Sequence, residues 1–128
     1  MTDNPVKLFV YGTLKIGCPL HFYLSGATFI GEGFVQGFSM FHLGAFPCIV
    51  PVAEKDKIVY GEIYGVDNDA IAAIDRLEGV PHMYVRKLVP ALRRDGGAVM
   101  SYTYIMYSPP KYGRIIENGK FEHEQTLT

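Results

Sequence analysis

The chain has 128 residues, 48% of them hydrophobic and 20% charged, which is the length of one domain and enough to hold a core without disulfide or metal staples. Twelve Lys+Arg against thirteen Asp+Glu give a formal net charge of minus 1 with no long run of one sign, so no nucleic-acid or polybasic membrane surface is expected. No apolar stretch approaches the roughly 18 residues that span a bilayer, and Met1-Thr2-Asp3-Asn4-Pro5 lacks the basic-then-apolar order of a signal peptide.

Cys18 and Cys48 lie in apolar surroundings without Cys-x-x-Cys spacing. That suits reduced thiols, and the expectation is one cytoplasmic domain over residues 1–128. The nine Tyr and eight Phe are spread along short β-prone runs separated by Gly and Pro, which favours strands. Lys7–Tyr11 reads as a first strand, broken by Gly12-Thr13 into a loop. A short helix from Pro19 to Leu24 follows, since proline is tolerated in a first helical turn. Ala27–Phe41, with Gly31, Gly33 and Gly37, reads as a bent or bulged strand in a barrel-like sheet. Phe46–Val52 is a short strand flanked by prolines at an edge. The turn Glu54–Lys57 leads into a strand over Ile58–Val66, and the closeness of these two strands predicts an antiparallel pair. Asp67-Asn68-Asp69 starts a helix, and Gly79 with Pro81 stops it. Met83–Leu92 and Ala98–Tyr107 form a hairpin through Asp95-Gly96. Ser108-Pro109-Pro110 ends the sheet. The polar remainder, through Glu122-His123-Glu124-Gln125, is expected to wrap the surface or fray.

Several motifs are absent. Gly12 and Gly17 have phosphate-loop spacing, but Cys18-Pro19 stands where Lys and Ser/Thr are needed. Gly31-Glu32-Gly33 is followed by Gly37, one residue too late for a dinucleotide fingerprint. His21, His42, His82 and His123 show no paired metal-ligand spacing. His42 and His82 read as polar residues at turns, and Cys48 lacks the basic, partly exposed setting of a nucleophilic thiol. No metal and no cofactor is expected.

The helix carries the informative acid. At about 100° per residue from Ile71, Ile74 falls near 300°, Leu77 near 240° and Glu78 near 340°. Glu78 therefore shares the apolar face, with Asp75 nearer its edge. A carboxylate there is partly desolvated and stands at the negative end of the helix. Both effects raise its pKa toward a range suited to taking and giving a proton. The alternative is a Glu78 that turns out to water or pairs with Arg86. A second element is Tyr11-Gly12-Thr13-Leu14-Lys15, where consecutive N–H groups freed from a strand can form a concave anion site, although most such junctions are simple turns.

Together these residues resemble the gamma-glutamylcyclotransferase-like family, in its gamma-glutamylamine cyclotransferase-like branch. The resemblance rests on Phe9–Lys15, Phe46–Pro51, Val59–Asp67, Ile74–Gly79, Tyr84-Val85-Arg86 and Ile115–Phe121, in order along nearly the whole chain. It implies an α+β fold, a small mixed β-barrel with one or two short helices, and a pocket between the Tyr11–Leu14 loop and the helix end. The implied reaction converts a γ-glutamyl amine or γ-glutamyl amino acid to 5-oxoproline by attack of the substrate's own α-amine. By the same resemblance Tyr11, Gly12, Thr13 and Leu14 bind the γ-glutamyl group, Glu78 moves the protons, and Tyr84 and Tyr107 lie near the pocket. Lys15 stands either by the substrate carboxylate or in solvent. The partner implied is a small γ-glutamyl molecule, and exposed aromatics on a small barrel are compatible with a homodimer. The chain departs from the family at Ile16-Gly17-Cys18-Pro19-Leu20, where many members have Arg-Gly-x-x-Asn, and at Lys120-Phe121 in place of Asp-Trp. The loss of that Arg and Asn keeps an alternative open, a module that binds a γ-glutamyl or other small carboxylate ligand without chemistry.

Overall fold

Strand β1, Val6–Val10, alternates its side chains between two layers. Leu8 and Val10 pack with the helix, and Phe9 packs into the barrel interior beside Val35, Val59 and Ile63. The structure, a computed structural model, describes residues 4–122. The expectations for Met1–Asp3 and for His123-Glu124-Gln125 lie outside the described residues.

Five strands close the barrel: β1, β2 (Thr28–Gln36), β5 (Ile58–Val66), β6 (Val85–Arg93) and β7 (Ala98–Ile105), in the order β1-β5-β2-β6-β7. Neighbours are antiparallel except at the closure, where β1 runs parallel to β7 with Leu8 opposite Tyr102. A register shift between Phe29 and Gly31 bends β2. The sheet is therefore mixed, as the resemblance implied. The β6–β7 hairpin turns through Asp95-Gly96, with Leu92 opposite Ala98.

Several expectations are corrected. Ala27–Phe41 is two strands, because Gly37 at φ 82° redirects the chain from β2 into β3, Phe38–His42. β4, Pro47–Pro51, does not pair with β5; it pairs with β3, and β8, Arg114–Ile116, flanks β3 on the other side. Both edges of β5 are already taken by β1 and β2, so the close-lying β4 is left to the second sheet. The segment after Pro110 is also not all surface. It supplies β8, and Phe121 packs 3% exposed against the barrel cluster. His42 ends β3 rather than sitting in a turn, and its Nδ1 accepts from the Gly44 N–H. The short helix after Pro19 is a single 3-10 turn, His21–Leu24. Cys48 is buried and Cys18 partly so, and neither is in a disulfide among the described residues, but Cys18 sits in a turn of the loop rather than an apolar run.

Helix α1, Asn68–Leu77, begins where the Asp67 carboxylate accepts from the Ala70 N–H at 2.7 Å, the N-cap arrangement. It docks through Ile71 and Ile74 against Leu8, Val10 and Tyr104, a burial that contributes about 1.5–3 kcal/mol per side chain. Gly79, at φ 66°, reverses the chain after the last turn, a conformation glycine adopts without strain. No helix among the described residues is long and apolar enough to cross a membrane.

Candidate active site

A cavity of about 360 Å³ opens where β1 runs out, between the loop that follows it and the C-terminal end of α1. Tyr11, Gly12, Thr13 and Leu14 form one wall, and Leu77 and Glu78 face them. Pro47 at the start of β4, Tyr84 just before β6 and Tyr104 on β7 complete the inner part.

The loop is tied down by its carbonyls. Gly12 O accepts from the Lys15 N–H, Thr13 O from the Leu20 N–H, and Leu14 O from the His21 ring at 2.9 Å. Behind it, the buried Glu62 carboxylate accepts from both the Ile16 N–H and the Tyr64 hydroxyl at 2.9 Å. The N–H groups of Gly12, Thr13 and Leu14 donate to no acceptor among the described residues. Three successive donors left unpaired on a fixed loop are chemically able to hold a carboxylate or a developing oxyanion.

Glu78 caps α1, and its N–H closes the last turn onto Ile74 O. Its carboxylate makes no hydrogen bond or ion pair among the described residues, and burial raises its pKa from 4.5 to about 7. Desolvation acts alone here: the pairing with Arg86 that the sequence left open is not made, since Arg86 reaches Asp75 at 3.2 Å. Asp75 also accepts from the Tyr104 hydroxyl at 2.7 Å.

The tyrosines are committed as donors. Tyr11 gives its hydroxyl proton to Tyr104 O at 2.6 Å and Tyr84 to Pro47 O at 2.7 Å. Burial, followed by the nearby Glu78, raises the Tyr84 phenol above its ordinary pKa; burial also raises Tyr11, followed by Tyr84 and Glu78. Both remain neutral and hold the walls. Burial likewise pushes the Cys48 thiol up to about 11, away from nucleophilic character.

Tyr11, Gly12, Thr13, Leu14, Glu78 and Tyr84 therefore come together around one cavity. Tyr107 does not join them: β7 ends at Ile105, and Tyr107 is 60% exposed with Lys87 over its ring. Lys15 also points elsewhere, donating through Nζ to Phe121 O at 2.6 Å. Sequence reasoning missed Tyr104. The available signal was the run Tyr102–Met106, too continuously apolar for a strand with one wet face.

Comparison with known proteins follows the same outline. The family model described as gamma-glutamyl cyclotransferase, AIG2-like, matches residues 8–123. A candidate gamma-glutamylcyclotransferase of Methanocaldococcus jannaschii is 33% identical over 118 residues, 90% of this chain and 94% of that one. One of Pyrococcus horikoshii is 37% identical over 121 residues, 94% of each. The crystal structure of that Pyrococcus protein superposes with a TM-score of 0.69 over 90% of this chain and 88% of its own. An AIG2-like protein from mouse superposes at 0.73, with 31% identity, over 81% and 80% of the two chains.

Proposed function

The chain belongs to the AIG2-like gamma-glutamyl cyclotransferase family, and from that premise we propose that it is a cyclotransferase releasing 5-oxoproline from a γ-glutamyl compound, with Glu78 as general acid and base. The observation that carries the reading is the Glu78 carboxylate, unpaired among the described residues, across one cavity from the Gly12, Thr13 and Leu14 N–H groups, which among the same residues meet no acceptor.

In this mechanism the loop N–H groups hold the γ-glutamyl head. The substrate's α-amine attacks its own γ-carbonyl carbon, and the surplus proton of the attacking nitrogen passes to Glu78 as the N–C bond forms. The tetrahedral intermediate then collapses, the bond to the leaving nitrogen breaks, and Glu78 returns the proton to that nitrogen. The products are 5-oxoproline and a free amine. Both reacting atoms belong to one molecule, so the protein supplies orientation and proton transfer and needs no nucleophile of its own. A pKa of about 7 suits a group that must serve in both directions.

The test is 5-oxoproline release from a panel of γ-glutamyl amines and γ-glutamyl amino acids, with Glu78→Gln in parallel. Release by the native protein alone supports the proposal. Binding without release from any member replaces it with the non-catalytic module.

A further inference from the structure

Glu62 is a buried carboxylate to which the mechanism above gives no part. It is 9% exposed and stands on β5 opposite Val10, the last residue of β1. The preceding Gly61 lets the two strands approach this closely, since a Cβ there would collide with Val10 O and the Phe9 ring. From this position Oε1 of Glu62 accepts from the Ile16 N–H and from the Tyr64 hydroxyl, each at 2.9 Å. Resting on the cyclotransferase reading above, we propose that Glu62 is a positioning residue for the reaction, holding the Gly12–Leu14 N–H groups in place from behind without touching the substrate.

Glu62 is not among the described residues that line the reaction cavity. With Lys15 it faces a separate hollow on the other side of the loop. Two paths lead from it to the loop. The direct one is the Ile16 N–H, two residues beyond Leu14. The Ile16 side chain is 69% exposed, so the backbone, not the side chain, is the anchor at this position. The second path runs through Tyr64. Burial, followed by the Glu62 hydrogen bond, raises the pKa of its phenol, so the hydroxyl remains a donor. Its buried ring packs 5.9 Å from the His21 ring, and His21 bonds Leu14 O at 2.9 Å. One carboxylate thus fixes the chain on both sides of Lys15, at the Leu14 carbonyl and at the Ile16 amide. Groups that orient a substrate must be held to about 0.5 Å by the residues that support them, and the Leu14 N–H lies within the segment so held.

Three variants test this, with kcat/KM for 5-oxoproline release measured well below each Tm. Glu62→Met keeps the length of the side chain and removes both acceptor contacts. Glu62→Gln keeps an Oε1 for both donors, and Tyr64→Phe removes the second path alone. Glu62→Met is expected to lower kcat/KM by about 10- to 100-fold, the effect of a misplacement near 1 Å. The midpoint of its pH profile should stay in place, because Glu78 is untouched. Glu62→Gln is expected to restore turnover to near the native value, and Tyr64→Phe to fall between the two. The amide proton and nitrogen shifts of Thr13 and Leu14 should move in Glu62→Met and return in Glu62→Gln, a readout that a role in stability alone does not move. Native kcat/KM in a folded Glu62→Met overturns the proposal. So does a Glu62→Gln as impaired as Glu62→Met, which would assign the effect to charge, or a displaced pH midpoint, which would make Glu62 act on Glu78. Should Glu62→Met not fold, Tyr64→Phe decides: native kcat/KM with native Leu14 shifts overturns the proposal. No 5-oxoproline from the native protein overturns the cyclotransferase reading itself, and the positioning role falls with it.

Discussion

Arg86 closes on Asp75 at 3.2 Å and leaves Glu78, one helical turn further on, with no cationic partner among the described residues. The two acids share one helix end but differ in environment. Asp75 has a guanidinium and the Tyr104 hydroxyl, while Glu78 has only the cavity. Replacing Arg86 therefore acts on packing rather than on the candidate acid. Arg86→Met is expected to cost about 1 kcal/mol, the scale of a half-exposed ion pair, with the guanidinium's stacking on Tyr102 at 4.7 Å lost as well. Thermal unfolding reads the cost. The pH midpoint of turnover should stay in place, and an upward move of a full unit would mean that Arg86 acts on Glu78 after all.

Glu78→Gln separates activity from stability. The pKa of Glu78 is raised in the folded protein, from 4.5 to about 7, so the folded state binds the proton more tightly than the unfolded one. Stability is lost as pH rises through that window, and the loss is complete above about pH 7. From the size of the shift it amounts to at most about 3 kcal/mol. Glutamine keeps the shape and never ionises. The variant should lose 5-oxoproline release yet unfold at a higher temperature than the native protein at pH 8, with the difference shrinking toward pH 5. A variant no more stable at pH 8 would mean that water reaches the carboxylate and burial does not govern it.

The same shift fixes a pH profile. Glu78 must be ionised to accept the proton of the attacking amine, so kcat/KM should rise through a midpoint near 7 and fall about tenfold per unit well below it. Measuring kcat/KM between about pH 5 and 9 checks this. A midpoint near 4.5, the ordinary carboxylate value, would remove Glu78 from the proton-transfer role.

The sequence was readable wherever the signal was local. The α1 boundaries follow from the Asp67 cap and Gly79, β5 from its apolar run, and the β6–β7 hairpin from Asp95-Gly96. Glu78's side of the helix followed from its angle to Ile71 and Ile74, which the structure buries at 6% and 0% exposure. What escaped depends on partners distant along the chain. β4 looks like a neighbour of β5 until one sees that β1 and β2 hold both edges of β5. β8 has three residues and becomes a strand only through β3, some seventy positions earlier. Tyr104 escaped because its burial depends on the packing of α1 across β7, which no alternating pattern in Ala98–Tyr107 announces. Ile105 turns into the barrel while Tyr104 packs beneath α1, so both faces are dry at the C-terminal end of the strand, and of the tyrosines there it is Tyr104, not the exposed Tyr107, that lines the cavity.

Gly12 tests the loop wall directly. A Cβ at this position would stand 2.8 Å from Pro47 Cγ and 2.9 Å from Cδ, atoms of a rigid ring rather than the free end of a flexible chain. Pro47 cannot easily withdraw, because it begins β4 and its carbonyl accepts the Tyr84 hydroxyl at 2.7 Å. In Gly12→Ala the loop must therefore move, and with it the N–H groups of Thr13 and Leu14. A displacement near 1 Å in groups that orient the substrate costs about 100-fold in rate, and the overpacking itself costs about 1–3 kcal/mol. The expected result is a folded variant with a lowered Tm and a kcat/KM reduced by about one to two orders of magnitude. Full turnover at a lowered Tm would show that the loop N–H groups do not hold the substrate.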